Sequence, residues 1–218
     1  MYLALRLHPD IAYAVTTLSQ FNANPGRIHW TAAKHVVQYL KGTPIWGLTI
    51  GGKQPLVLTD YTDASFGSIA GPLGSHRSIL AFAFSLSSSI ISWSSHKQCS
   101  TASSMCEAEF ITAMHAAKEA LWLRTVFTEL ELQPTGSIPI HCNNQSSIHL
   151  THDQSFHDRS KHINIQHHFI RDAIEAGSIH YSYINTKQQL ADVLTKPLAR
   201  IDHNRLCEAI GLSVAPFT

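Results

Sequence analysis

Charge is scarce in this chain and nearly balanced. Charged residues make up 14% of it, and 16 Lys and Arg against 15 Asp and Glu leave a formal charge of +1. No global basic field announces a nucleic acid, so any such binding has to come from a local patch or a metal site. Cysteine is thin too: Cys99, Cys106, Cys142 and Cys207 are scattered with no C-x-x-C pair, which argues against a zinc ribbon and against a secreted disulfide scaffold. No stretch approaches about eighteen consecutive apolar residues, and the opening "MYLALRLHPDIAYAVTTLSQ" has no basic region ahead of an uninterrupted apolar run. Internal repeats and low-complexity tracts are missing as well. The expectation is an intracellular protein, cytoplasmic or nuclear, with no membrane partner. What the chain does have is core-forming material: 44% hydrophobic residues over 218 positions, enough for one sizeable core and a smaller attached element.

Periodicity sorts that material. In "PDIAYAVTTLSQF" the residues Ile11, Ala14, Leu18 and Phe21 recur at helical spacing, with Pro9 suited to a first turn and Asp10 to its N-terminal dipole. "HWTAAKHVVQYLKGTP" repeats the pattern with Trp30, Ala33, Val37 and Leu40 on one face, and Gly42 and Pro44 stop it before a short strand in "WGLTIGG". From about Pro55 the rhythm changes. "PLVLTDYTDAS" reads as a strand, "GSIAGPLGSHR" as a loop, and "SILAFAFSLSSSIISWSS" as two further strands. A long helix is predicted over 103–132, a strand over 138–142, a helix over 144–151 and another over 162–176. A strand in "SIHYSYINT" and a terminal helix beginning in "QQLADVLTK" complete the order βββ-α-β-α-α-β-α, a mixed α+β or α/β domain.

The acids are candidates for chemistry. Asp60 and Asp63 are three apart, and strand side chains alternate faces, so only one of them can serve a given site. Ser104 stands three residues before Glu107, as in a capping box, which gives Glu107 a structural task. Glu109 lies about 200° round the helix from Glu107 and heads a small-residue stripe of Ala113, Ala116 and Ala120, so it faces inward at the helix start. A carboxylate there needs a counter-charge, and a metal is a natural one. Asp192 sits among Leu190, Val193 and Leu194, where a first-turn acid is also favoured by the helix dipole. Of the 15 histidines, His162, His167 and His168 cluster without any cysteine pair, and His167 is read as a packing residue, not a zinc ligand. Arg159, Lys161 and His162 form a local cationic cluster that could contact phosphates.

Taken together the segments resemble the end of a copia-type retrotransposon Pol polyprotein, the last part of reverse transcriptase followed by its ribonuclease H domain. The resemblance runs over nearly the whole chain. "YLALRLHPDIAYAVTTLSQF" and "HWTAAKHVVQYLKGTPIWGL" resemble the segment ahead of the ribonuclease H domain. "YTDASFG" resembles Y-S-D-A-D-W-A-G, and "ISWSSHKQ" resembles I-S-W-x-S-K-K-Q. "EAEFITAMHAAKEALWLR" and "KHINIQHHFIRD" have their counterparts, and "QLADVLTKPL" is the closing motif. The resemblance implies a helical remnant over 1–53, a ribonuclease H-like domain with a five-stranded mixed sheet flanked by helices over 54–200, and a C-terminal helix and tail over 201–218.

It also implies four acids holding two Mg²⁺ or Mn²⁺ ions that cut the RNA strand of an RNA–DNA hybrid. Carried over, three of them are Asp63, Glu109 and Asp192, while Asp60 falls where the family usually has Gly. The remaining acid belongs to a C-D-N-Q motif, and here the chain reads Cys142-Asn143-Asn144-Gln145. Asn143 therefore takes the place of a metal-binding Asp, and the expectation is a weakened or inactive enzyme, the alternative being a non-catalytic nucleic-acid-binding or structural remnant. Ala81 for a family Gly and Asn164 for a family Asp are further departures. The implied partners are an RNA–DNA hybrid and the rest of the polyprotein.

Overall fold

The two periodicities resolve into strands and helices in the computed structural model, which describes residues 1–50, 56–67, 76–132, 136–152 and 161–214, without the side chains of 161–167. The helices α1 (Tyr2–Arg6), α2 (Ala12–Ser19) and α3 (Arg27–Gly42) come first, with a 3₁₀ turn at Pro9–Ile11, followed by β1 (Trp46–Leu48). Then come β2 (Leu58–Ser65), β3 (Ile79–Leu86), β4 (Ser89–Lys97) and the long α4 (Met105–Glu129). The chain continues with β5 (Ile138–Cys142), α5 (Gln145–His152), α6 (Lys161–Glu175) and β6 (Ile179–Tyr183). After a 3₁₀ turn at Thr186–Gln188 it ends with α7 (Asp192–Thr195), α8 (Arg200–Ala209) and β7 (Leu212–Val214). Most of the predicted loop "GSIAGPLGSHR" and the last tail residues lie outside the described residues.

Five strands make the main sheet, in the order β4-β3-β2-β5-β6. β2, β3 and β4 form an antiparallel meander, whereas β5 runs parallel to β2 and β6 parallel to β5. Parallel neighbours need a long crossover, and α4 supplies the one from the meander to β5. The period-2 alternation then gives each face its own core. Leu58, Phe82, Phe84, Ile138 and Ile140 pack under α4, whose Ala113, Ala116, Ala117 and Ala120 are fully buried. Those alanines let the helix backbone lie close to the sheet. The opposite face, with Ala81, Ala83 and Ile90, is covered by Val193, Leu194, Leu206, Ile210 and Leu212, and by Ala12 from the N-terminal helices.

Local rules set the start of α4. Ser104 is its N-cap and accepts from the Glu107 N–H at 3.1 Å, as the spacing suggests. Glu107 reaches back one residue further than a simple capping box, accepting from the Ser103 N–H at 2.6 Å. The N-terminal segment shows a larger difference. Trp30 and Val37, on the apolar stripe of α3, are each 65% exposed, and no residue of α3 is buried. That helix touches its surroundings through its other residues, as where Tyr39 donates to Asp10 Oδ2 at 2.6 Å.

The segment after α3 is joined to the C-terminal segment by β1, which pairs antiparallel with β7. The junction depends on Gly211, at φ +86°, where an added Cβ would come within 2.7 Å of Ser89 Cα. Its carbonyl accepts from the Thr49 N–H, and Ser89 Oγ donates to the Thr49 carbonyl. Gly211→Ala combines a left-handed backbone with a backbone collision, so a loss of about 2–4 kcal/mol is expected, read as a melting temperature roughly 5–15 °C lower.

Candidate active site

The three-residue spacing of Asp60 and Asp63 puts them on opposite faces of β2. Asp60 lies opposite Phe84 of β3 and Ile140 of β5, and those two pack in the core under α4. Asp63 pairs with Ala81, on the face covered by α7 and α8. Both are buried, at 0% and 1% exposed. Both carboxylate oxygens of Asp63 are met by the segment that follows β6: Thr195 Oγ1 donates to its Oδ2, and Lys196 Nζ lies 3.3 Å from each of its oxygens.

The same lysine donates to Asp192 Oδ1 at 2.7 Å, an i,i+4 pair across the four residues of α7. Burial works against a charged Lys196, but the carboxylates of Asp63 and then Asp192 outweigh it, and the ammonium holds its proton more tightly than an ordinary lysine. Asp192 is pushed above the usual carboxylate range by burial and by the Asp63 charge, with Lys196 pulling it back. Glu109, one turn into α4 and 3% exposed, is pushed up to about 8, first by burial and then by Asp63. Its Oε2 is buried without a hydrogen-bond partner.

Two glutamines fix this geometry from a distance. Gln189, fully buried, donates to the Thr62 carbonyl at 2.8 Å, tying the approach to α7 onto β2 beside Asp63. Gln98, at the end of β4, donates to the Ala108 carbonyl at 2.9 Å, next to Glu109.

The junction of β5 and α5 separates its two asparagines. Asn144 Oδ1 accepts from the Ser147 N–H at 3.1 Å, which caps α5. Its own N–H points to Cys142 Sγ at 3.4 Å, and burial pushes that thiol up to about 12, so it stays neutral. Asn143, one residue earlier and half-buried, lines a cleft of about 500 Å³ together with Asp63, Glu109, Asn144 and Lys196. Asp192 reaches this cleft only through Lys196, which stands in its wall.

Carboxylate and amide oxygens are the donors a hard dication takes, and the orphaned Glu109 Oε2 is an oxygen in want of one. The residues fit such an ion by donor type but fall short of it in grouping. Among the described residues no three His, Cys, Asp or Glu side chains are placed closely enough to hold a metal ion. The positive charge shared by Asp63 and Asp192 is that of Lys196. Of the residues expected to touch nucleic acid, Arg159 lies outside the described residues, as do the side chains of Lys161 and His162. Sequence reasoning passed over Lys196, Thr195, Gln189 and Gln98. The one signal available was the i,i+4 spacing of Asp192 and Lys196.

An antiparallel meander followed by two parallel strands, with acids at the end of the central strand and the start of the crossover helix, is a mixed α+β domain of the ribonuclease H-like class. The N-terminal ribonuclease H domain of a Mycobacterium tuberculosis protein superimposes with a TM-score of 0.46 at 7% identity, covering 70% of this chain and 97% of that one. No family model matches the chain. The retrovirus-related Pol polyprotein from transposon TNT 1-94 of Nicotiana tabacum is 37% identical over 212 residues, 97% of this chain and 16% of its own length. The one from transposon RE1 of Arabidopsis thaliana is 37% identical over 215 residues, 99% of this chain and 14% of its own. The homologues of the chain are retrovirus-related Pol polyproteins of copia-type transposons, matched over nearly its whole length, and it spans about a seventh of the length of these curated relatives.

Proposed function

We propose that the chain is the ribonuclease H-type segment of a transposon Pol polyprotein, with its hydrolysis of the RNA strand of RNA–DNA hybrids weakened or lost. The observation that carries this reading is the position of Asn143, an uncharged amide in the wall of the cleft that Asp63 and Glu109 also line. Two Mg²⁺ or Mn²⁺ ions held by Asp63, Glu109 and Asp192 would supply an activated water and stabilisation of the leaving oxygen. The chain itself offers three carboxylates to that task, one of them, Glu109, raised above an ordinary carboxyl by burial and by the Asp63 charge. Asn143 contributes a carbonyl dipole without charge, so the cleft attracts dications less than a four-carboxylate site.

Hybrid contacts fall to the segment of Arg159, Lys161 and His162, where cations would bind phosphates irrespective of sequence. The rest of the polyprotein is the proposed protein partner, and the setting is intracellular, cytoplasmic or nuclear. Among the described residues no helix is long and apolar enough to cross a membrane.

The test uses purified chain and a hybrid labelled on its RNA strand, with binding read by gel shift and cutting read on a denaturing gel, with and without Mg²⁺. Retention of the hybrid with cutting near background is expected. Cutting at the rate of an intact relative would refute the loss of activity, and failure to bind the hybrid would leave only a structural remnant.

A further inference from the structure

We propose that Lys196 is a built-in cation of the carboxylate cleft: its ammonium holds Asp63 and Asp192 where a divalent ion would, and a metal has to displace it to bind. The inference rests on reading the cleft as a cation site. It goes beyond that reading by assigning the control of metal affinity to this one side chain.

The geometry is that of a counter-ion and not of a surface ion pair. Nζ lies 2.7 Å from Asp192 Oδ1 and 3.3 Å from both oxygens of Asp63, which is itself 1% exposed. Two acids from distant parts of the chain therefore share one positive charge. Without it, burying both would carry a large desolvation cost with no compensation. Position is enforced from the backbone. Lys196 ends α7 in an extended conformation, φ −133° and ψ 147°, and precedes Pro197, which disfavours continued helix.

Displacement is also open to it. The Lys196 side chain is 34% exposed and lines the cleft, so its long stem can carry the ammonium out to water. Glu109 keeps its Oε2 without a hydrogen-bond partner, from Lys196 or any other group. An incoming dication would gain that oxygen, but it would meet a like charge unless Lys196 leaves. The fold is thereby satisfied without metal, and metal binding is made weaker.

Lys196→Met and Lys196→Arg separate the two effects, with Mg²⁺ and Mn²⁺ as the probes in isothermal titration and thermal melts. The unsubstituted chain and Lys196→Arg are expected to bind weakly, with melting temperatures nearly indifferent to millimolar metal. Lys196→Met is expected to melt lower without metal, to regain that loss with it, and to bind at least about tenfold more tightly once the like charge is gone. A side chain with a merely structural role would lower the melting temperature without making it metal-dependent. If Lys196→Met does not fold alone, refolding in Mg²⁺ reads the same competition, and failure to refold there overturns the proposal. Equal affinity in Lys196→Met and the unsubstituted chain overturns it too, as does the absence of binding in every variant. No hybrid enters these titrations, so a chain that fails to cut can still pass them, and a chain that cuts can fail them.

Discussion

Asn143→Asp is expected to raise cleavage of the RNA strand of a hybrid by on the order of a thousandfold over the unsubstituted chain, a barrier change of roughly 4 kcal/mol. The substitution alters charge at nearly constant shape. Position 143 directly follows Cys142, the last residue of β5, which pairs with Thr62 of β2 on one side and Tyr183 of β6 on the other. The cap of α5 belongs to Asn144, so it survives the change. A carboxylate just ahead of α5 also lies near the positive end of that helix dipole, which makes the substitution neutral to slightly stabilising for the fold. What it adds is a fourth carboxylate, in the wall of a cleft that Asp63 and Glu109 also line.

The control is Asn144→Asp. It brings the same charge one residue away and can still cap α5, because Asp is as good an N-cap as Asn. Single-turnover cleavage at millimolar Mg²⁺ should respond to the first substitution and leave the second near the unsubstituted rate. Equal responses at the two positions, or none at Asn143→Asp, would show that the missing carboxylate is not what limits the reaction.

Those two asparagines also show where the sequence stops being readable. Both are amides in a turn, and only register with the family's motif or the actual capping bond tells them apart. Elements with strong local pattern were legible: the strand over 138–142 has the same bounds in the structure, and the helix predicted over 103–132 forms as Met105–Glu129. The C-terminal segment was not. The helix expected to begin in "QQLADVLTK" forms as a 3₁₀ turn and a four-residue α7, because the Gln189 side chain is drawn into the sheet and Pro197 follows at once. The pairing of β1 with β7 joins Trp46–Leu48 to Leu212–Val214, segments too short to carry a periodic signal and too far apart in sequence for any local rule. The apolar stripe of α3 was visible, but periodicity shows which residues share a face and not whether anything covers it. Lys196 was read as part of a motif, since no local feature tells that its charge is shared with an acid on β2.

Raising the pH is expected to cost this fold stability that Asp60→Asn retains. Asp60 is fully buried between β3 and β5, and neither carboxylate oxygen makes a hydrogen bond. Burial pushes its pKa from 3.8 up to about 8, with the Glu119 carboxylate adding to the rise and the nearby N–H groups of Tyr61 and Ala83 opposing it. The native state therefore keeps this proton to about pH 8, while the unfolded chain releases it near pH 4. Between those values the unfolded state binds fewer protons, so stability falls as pH rises. The contribution is fully present below the unfolded pKa and gone above the folded one. Over that window it amounts to a few kcal/mol, on the order of 1.4 per unit of pH. Glu109, also raised to about 8, tilts the profile of both proteins in the same direction. Asp60→Asn removes only the Asp60 share, because an amide of nearly the same shape in that place has nothing to ionise. Urea unfolding at about pH 5 should find the two proteins close, and at about pH 9 the variant should be ahead by roughly 2–4 kcal/mol. Parallel pH profiles would mean that the Asp60 carboxylate finds solvation or a partner in the folded protein, and the protonated reading of the buried acid would then fail.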